Sequence, residues 1–250
     1  MSGHSRWSQI KRKKGKTDVQ RGKLFSKILR EITVAARHGG GDPKGNLRLK
    51  AAMESARAAN MPAENVKRAV QKGTGELPGE SYEEIAYEGY GAGGVAVFVQ
   101  VVTDNKNRTG PELRHIFEKN AGRMGTPGSV AWMFERRGII HVDAGRAKED
   151  DVLERALDAG ATDVQRVEKV FEVTTPPDQM EAVREALERA KLPVLEAQAS
   201  MVPQSTVRVE GKEAQAVLRL IEALEEQDDV QSVYANYDIP DEVIDAITAA

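Results

Sequence analysis

The sequence lacks cysteine altogether, and this absence excludes several kinds of chemistry. Without thiols the chain can form no disulfide, offers no thiolate nucleophile and cannot build the commonest structural zinc sites. No run of 18 uncharged apolar residues occurs, so the sequence predicts no membrane span. The first 16 residues contain no apolar core of the kind found in signal peptides. We therefore expect a protein of the cytoplasm that does not bind membranes.

Recognisable catalytic motifs are also missing. The four histidines, at positions 4, 38, 115 and 141, show no metal-ligand spacing, and neither a Gly-Lys-Ser/Thr phosphate loop nor a Gly-x-Ser-x-Gly turn occurs. The glycine tract 89–94 lies between two predicted strands, whereas a dinucleotide site needs a helix after the strand. We expect no catalysis, cofactor, metal or small-molecule substrate. An enzyme that acts on a phosphorylated ligand through Asn107, Arg108 and His115 is a weaker alternative.

Charge is distributed very unevenly along the chain. Residues 1–72 hold 18 Lys and Arg against five acids, a net charge of +13, whereas the rest of the chain carries −16. A face that serves only solubility usually mixes both signs. A concentrated positive end beside a negative body indicates that this end binds a polyanion. Contacts with phosphates position a protein on nucleic acid without reading its sequence.

The positive end is predicted to be a basic arm followed by a bundle of three helices. Residues 2–16, here called the arm, carry six bases, no acid and too few apolar side chains to fold alone. We therefore expect the arm to order on a partner. Apolar side chains at helical spacing predict helices over 18–37, 46–60 and 62–73, with Gly73 ending the third. The residues predicted to bind nucleic acid lie on the arm and the first helix: His4, Arg6, Trp7, Lys11, Arg12, Lys13, Lys14, Lys16, Arg21, Lys23, Lys27 and Arg30.

Beyond a linker rich in Gly and Pro at 73–79, strands and helices alternate. Strands are predicted at 82–90 and 95–102, and a helix is predicted to open at Thr109. The stretch from 138 to 200 then reads strand-helix-strand-strand-helix-strand, which is the ferredoxin-like order. A strand at 206–209, a helix at 212–226 and a strand at 230–237 should complete the sheet begun by 82–104.

These patterns predict a multi-domain α and α+β protein. The arm and the amino-terminal three-helix bundle occupy 1–76, and an α+β domain is made of 77–134 and 204–250. A ferredoxin-like α+β domain, 135–203, is inserted into it.

Two polar loops are candidates for a secondary contact with the partner. The tract 103–109 is interpreted as a strand-to-helix turn with side-chain capping, or as a phosphate contact at a helix start. The loop 122–129 carries one base and either contacts a partner or joins two elements. The candidate residues are Asn105, Asn107, Arg108 and Arg123.

Six short motifs together resemble the YebC/PmpR family over essentially the whole chain. They are Gly3-His4-Ser5-Arg6-Trp7, Lys11-Arg12-Lys13-Lys14, Gly22-Lys23-Leu24-Phe25-Ser26-Lys27, Asn60-Met61-Pro62, Tyr87-Glu88-Gly89-Tyr90 and the polar tract Thr103-Asp104-Asn105-Lys106-Asn107-Arg108-Thr109. The resemblance implies the three-domain architecture predicted above.

The resemblance also implies a role in gene expression, for which two forms stay open. One is a transcriptional regulator that binds double-stranded DNA. The other is a ribosome-associated translation factor that binds ribosomal RNA and relieves stalling at proline-rich stretches. A flexible basic arm suits folded RNA as well as duplex DNA, and the acidic body argues against DNA wrapped over the whole protein. A scaffold that binds only proteins through the arm is a third alternative.

Overall fold

The structure is a computed structural model that describes residues 18–240 and 242–244. The described chain divides into two compact units. The first unit contains residues 18–131 and 210–235, and the second contains 132–209 with 236–240 and 242–244. Amino-terminal helices followed by two mainly antiparallel sheets confirm the predicted mixture of α and α+β structure. The predicted division into three domains stays a prediction.

The first unit opens with three helices, α1 (Asp18–Gly39), α2 (Leu47–Ala58) and α3 (Ala63–Thr74). Their shared core contains Ile32 and Leu49, both fully buried. Asn46 fixes the start of α2, because its Oδ1 accepts from the backbone N–H of Leu49 at 3.0 Å. Its amide also donates to the carbonyl of Ala35 at 2.7 Å, so one buried side chain ties α2 to α1.

The expectation that Gly73 ends the third helix is wrong. The helix continues through Gly73, and the residue that follows it is Gly75, in the left-handed conformation with φ 83°. Gly73 is buried where α3 crosses α1, and a Cβ added there would lie 2.4 Å from the carbonyl oxygen of Thr33. The glycine is therefore needed for close packing of two helices rather than for termination.

The rest of the first unit is a four-stranded sheet with two helices. The sheet has the order β3-β1-β2-β9. Its strands are β1 (Glu83–Tyr90), β2 (Ala96–Thr103), β3 (Arg123–Met124) and β9 (Val230–Ala235), and the two helices are α4 (Lys106–Lys119) and α7 (Gly211–Glu226). β1 and β2, which were predicted as strands at 82–90 and 95–102, form an antiparallel hairpin. Gly93 and Gly94 in its turn have φ 67° and 77°, which favour glycine.

Two predictions about this sheet need correction. Helix α4 begins at Lys106 rather than at Thr109, because Asn105 caps it and the Thr109 hydroxyl is used inside the fold. The strand predicted at 206–209 does not join the sheet. It shortens to β8 (Val207–Arg208), which pairs in parallel with β10 (Tyr237–Asp238) in the second unit.

The second unit contains the predicted strand-helix-strand-strand-helix-strand order. Its elements are β4 (Phe134–Asp143), α5 (Glu149–Asp158), β5 (Asp163–Val167), β6 (Val170–Thr175), α6 (Met180–Arg189) and β7 (Val194–Pro203). The sheet order is β5-β6-β4-β7, with every neighbouring pair antiparallel. Val152 and Leu187 from the two helices pack on Ile140 and Val173 of the sheet. The ferredoxin-like prediction thus agrees with this unit's topology.

His141 lies between two glutamates of neighbouring strands in this sheet. Its ring nitrogens are 2.8 Å from Glu196 and 3.1 Å from Glu172. Burial by itself lowers the pKa of His141, but hydrogen bonds with the two carboxylates outweigh it and raise the pKa to about 9.

This triad makes the stability of the second unit depend on pH. The raised pKa means that the contribution is fully present below about pH 6.5 and is lost as pH rises through about 9. We expect His141→Gln to lower the free energy of unfolding by roughly 2 kcal/mol at pH 6 and by much less above the raised pKa. Denaturant unfolding over this pH range measures the difference. The exposed His115→Gln is the control, and parallel curves for wild type and His141→Gln would contradict the prediction.

Candidate nucleic-acid interface

The arm residues predicted to bind nucleic acid lie outside the described residues. They are His4, Arg6, Trp7, Lys11, Arg12, Lys13, Lys14 and Lys16. The four remaining candidates of this group lie on α1. Arg21 is exposed in the first part of this helix, with its guanidinium 5.5 Å from the centre of the Phe25 ring.

Lys23, Lys27 and Arg30, here called the cation row, share one face of α1 because they are spaced by four and three residues. Their head groups contact the end of α7 and the residues after it. Lys23 Nζ donates to the carbonyl of Glu226 at 3.0 Å, and Lys27 Nζ donates to the carbonyl of Glu225 at 2.6 Å. Arg30 donates to the carbonyl of Asp228. The sequence did not predict these intramolecular partners.

The partner of the cation row is residues 225–229, here called the α7 terminus. The last carbonyls of a helix have no partner within the helix and carry partial negative charge. The last turn of α7 contains no basic residue of its own. The two lysines of α1 therefore supply the donors that this helix end lacks.

Asp229 joins the cation row to the polar tract 103–109. Its side chain is only 2% exposed, and its Oδ1 lies 3.2 Å from Arg30. Its Oδ2 accepts from Arg108 at 2.8 Å and from the Thr109 hydroxyl at 2.7 Å. Burial alone would raise the pKa of Asp229, but these hydrogen bonds and the nearby guanidinium groups hold the pKa below its ordinary value. Asp229 is thus a charged, fully bonded centre of the first unit.

The polar tract also forms the predicted capped turn. Asn105 Oδ1 accepts from the backbone N–H of Arg108 at 3.1 Å, which confirms side-chain capping of α4. The Arg108 guanidinium also donates to Asp104 at 2.9 Å, and its hydrogen bonds with Asp229 and Asp104 raise the pKa of Arg108. Asn107 is exposed in the first turn of α4. A phosphate contact at this helix start stays a prediction.

Arg123 lies at the other end of α4, away from the capped turn. Its guanidinium is 5.4 Å from the centre of the Tyr90 ring, and both residues line a cavity of about 340 Å³ with Gly91, Gly94 and neighbouring backbone.

The loop that follows Arg123 is held by a buried carboxylate that the sequence did not reveal. Glu88 accepts from the backbone N–H groups of Gly128 and Val130, each at 2.6 Å, and of Ala131 at 2.8 Å. Burial pushes its pKa up, and these three backbone bonds outweigh that effect and lower it. The signals in the sequence were an acid within a predicted strand and its place in the Tyr87-Glu88-Gly89-Tyr90 motif.

Several other cations of the first 72 residues are also bonded within the fold. Arg48 forms a bidentate pair with Glu31, with distances of 2.6 and 3.1 Å, and also pairs with Glu84. Arg37 donates to the carbonyl of Glu80 at 3.1 Å. Other exposed bases on α2 and α3 are Arg57, Lys67, Arg68 and Lys72. Part of the positive charge therefore stabilises the fold, and part of it faces solvent.

Residues 18–240 and 242–244 contain no group of three or more His, Asp or Glu side chains arranged to hold a metal ion. His115 is exposed on α4, and His38 lies 3.3 Å from Glu84. Among the helices of this part of the chain, none has the length and apolar character needed to cross a membrane.

Comparison with known proteins gives two family matches that together cover most of the chain. Residues 5–76 match the TACO1/YebC protein N-terminal domain, and residues 82–237 match the TACO1/YebC second and third domain. A relative from Pelotomaculum thermopropionicum, named probable transcriptional regulatory protein, is 56% identical over 96% of this chain and 100% of its own length. One from Syntrophus aciditrophicus with the same name is 53% identical over the full length of both chains.

A solved structure shows the same fold. The crystal structure of a conserved hypothetical protein from Aquifex aeolicus superposes with a TM-score of 0.87 at 51% identity. The match covers 96% of this chain and 99% of that chain.

Proposed function

Because this chain belongs to the TACO1/YebC family, we propose that it is a non-catalytic regulator of gene expression that binds double-stranded DNA in the cytoplasm. The names of its relatives support a role in regulation. Binding of DNA is the physical step that we add, since a regulator of transcription must reach the template.

The observation that carries the proposal is the +13 charge of the first 72 residues beside a body of −16. Duplex DNA bears one negative charge per about 1.7 Å of its axis, so a positive arm gains by replacing condensed counterions. The negative body is repelled by the same charge, which confines binding to one end of the protein. This distribution favours attachment by the arm and the adjacent part of α1.

Within this proposal the arm residues and Arg21 make the first phosphate contacts. Arg21 is exposed, and α1 follows the arm in the sequence. The cation row extends the same helix, with its head groups at the α7 terminus in the free protein. Asn105, Asn107, Arg108 and Arg123 are proposed as weaker contacts, because Arg108 is already bonded to two carboxylates.

A salt titration tests the proposal. If about six to ten phosphates are contacted, the dissociation constant for a DNA duplex should rise by about 10³–10⁵ between about 50 and 200 mM salt. Fluorescence anisotropy with a labelled duplex measures this slope. Binding that is absent at low salt, or that does not change with salt, would reject the proposal.

Sedimentation of a cell lysate tests which nucleic acid is the natural target. The proposal expects the protein to stay away from ribosomal particles in a density gradient. Cosedimentation with ribosomes that is lost on ribonuclease treatment would replace the DNA target with ribosomal RNA.

A further inference from the structure

The cation row is already bonded to oxygen acceptors in the free protein. Lys23 and Lys27 donate to helix-end carbonyls, and Lys23 also lies 3.7 Å from the Asp228 carboxylate. These acceptors resemble a phosphate backbone in chemistry, because both present oxygen atoms in a region of negative potential. The row spans about 10 Å of helix axis, which is enough to follow a few successive phosphates of one strand.

We infer that the α7 terminus occupies the cation row as an internal substitute for nucleic acid and is displaced when a duplex binds. The inference rests on the proposed function, since it concerns the regulation of the same binding surface. In the free protein the head groups of the row are bonded to the α7 terminus, whereas Arg21 is exposed on the same helix and can make an early phosphate contact. Binding of the arm then brings phosphates close to the row, where they compete with the terminus.

The outer contacts of the row are exposed enough to exchange. The Lys23 side chain is 43% exposed and that of Asp228 is 64% exposed. Ion pairs in such positions contribute little to stability, because water screens both charges. Lys23 therefore leaves first, and Lys27, which is half-buried, follows.

The inner contact can exchange without leaving a buried charge unpaired. Asp229 is almost fully buried, and loss of all its partners would be strongly unfavourable. When Arg30 leaves, Asp229 still accepts from Arg108, Thr103 and Thr109. The polar tract thus keeps the Asp229 carboxylate hydrogen-bonded while the side chains of the cation row bind phosphates.

A pair of matched substitutions tests the competition. Asp228→Asn removes the carboxylate facing Lys23, and we expect it to raise the affinity for a labelled DNA duplex by about twofold to fivefold. Glu118→Gln makes the same charge change at an exposed position of α4 and is expected to change affinity much less. Equal effects of the two variants would show that only net charge matters and would overturn the inference.

Hydrogen exchange of the wild-type protein gives a second measurement that needs no variant. Amide exchange in residues 223–230 should become faster when the duplex is added, because the α7 terminus loses the lysines that cap it. Exchange that is unchanged or slower in a protein that does bind the duplex overturns the inference and leaves the proposed function intact. Failure of the wild-type protein to bind the duplex at all overturns both.

Discussion

Reversal of Lys11, Arg12, Lys13 and Lys14 to Glu is expected to abolish detectable binding of duplex DNA at physiological salt. The substitutions remove four bases from the arm and place four carboxylates where phosphates should lie. With about 0.9 counterions released per phosphate contact, the slope of log affinity against log salt should fall by about 3.5. Fluorescence anisotropy at several salt concentrations gives both the affinity and the slope. The thermal unfolding of the variant should match that of the wild type, because the sequence predicts that the arm orders on its partner and adds little to the stability of the free protein.

A control variant separates a local effect from the change in net charge. It reverses four exposed bases of the second unit, Arg146, Lys148, Lys169 and Lys191. These positions carry the same total charge change but are not part of the proposed interface, so we expect a change of less than about threefold at physiological salt, where the Debye length is about 8 Å. Equal losses in the two variants, or an arm variant that still binds like the wild type, would contradict the prediction.

Local patterns in the sequence were sufficient to predict most of the helices and strands. The helical spacing of Ile28 and Ile32 predicted the helix observed as α1. The run of apolar residues at 95–102 predicted the buried strand observed as β2. The glycine tract 89–94 lay between two predicted strands, and the positive φ values of Gly93 and Gly94 show why glycine is favoured at these two positions. Each of these features depends on residues within one element, which a linear pattern records.

The contacts of the cation row could not be predicted in the same way. Lys23 and Lys27 meet acceptors 203 and 198 residues away in the chain. Their acceptors are backbone carbonyls, which every residue has, so the sequence does not show which ones accept these bonds. Asp228 and Asp229 are adjacent and chemically identical, yet their side chains are 64% and 2% exposed. The charge of residues 1–72 therefore indicated what kind of partner this region binds. It did not indicate which bases form contacts within the fold.

Gly73 shows how a correct local rule can fail because of a tertiary contact. Glycine near the end of a helix commonly marks its termination, and a second glycine two residues further on fulfils that role in this chain. Gly73 itself faces α1, where a Cβ would lie 2.4 Å from the Thr33 carbonyl oxygen and 2.7 Å from the Ala36 methyl group. Packing between two helices, which the sequence pattern does not contain, determines this residue.

Gly73→Ala is accordingly expected to destabilise the first unit by about 3 kcal/mol, in spite of the higher helix propensity of alanine. Both obstacles belong to the body of α1, a backbone carbonyl and a methyl group next to it, so the added Cβ can be accommodated only if α3 moves away from α1. Urea unfolding followed by far-UV circular dichroism measures the change in the free energy of unfolding.

Gly22→Ala is the matched control, because Gly22 lies within α1 and a Cβ there meets no atom within 4 Å. Alanine at an open position of a helix should stabilise the protein by about 0.5–1 kcal/mol, since it reduces the conformational freedom of the unfolded chain. The two Gly→Ala changes should therefore have opposite signs. A Gly73→Ala protein as stable as the wild type would mean that α1 and α3 do not pack this closely, and the positions of the bases along α1 would then have to be reconsidered.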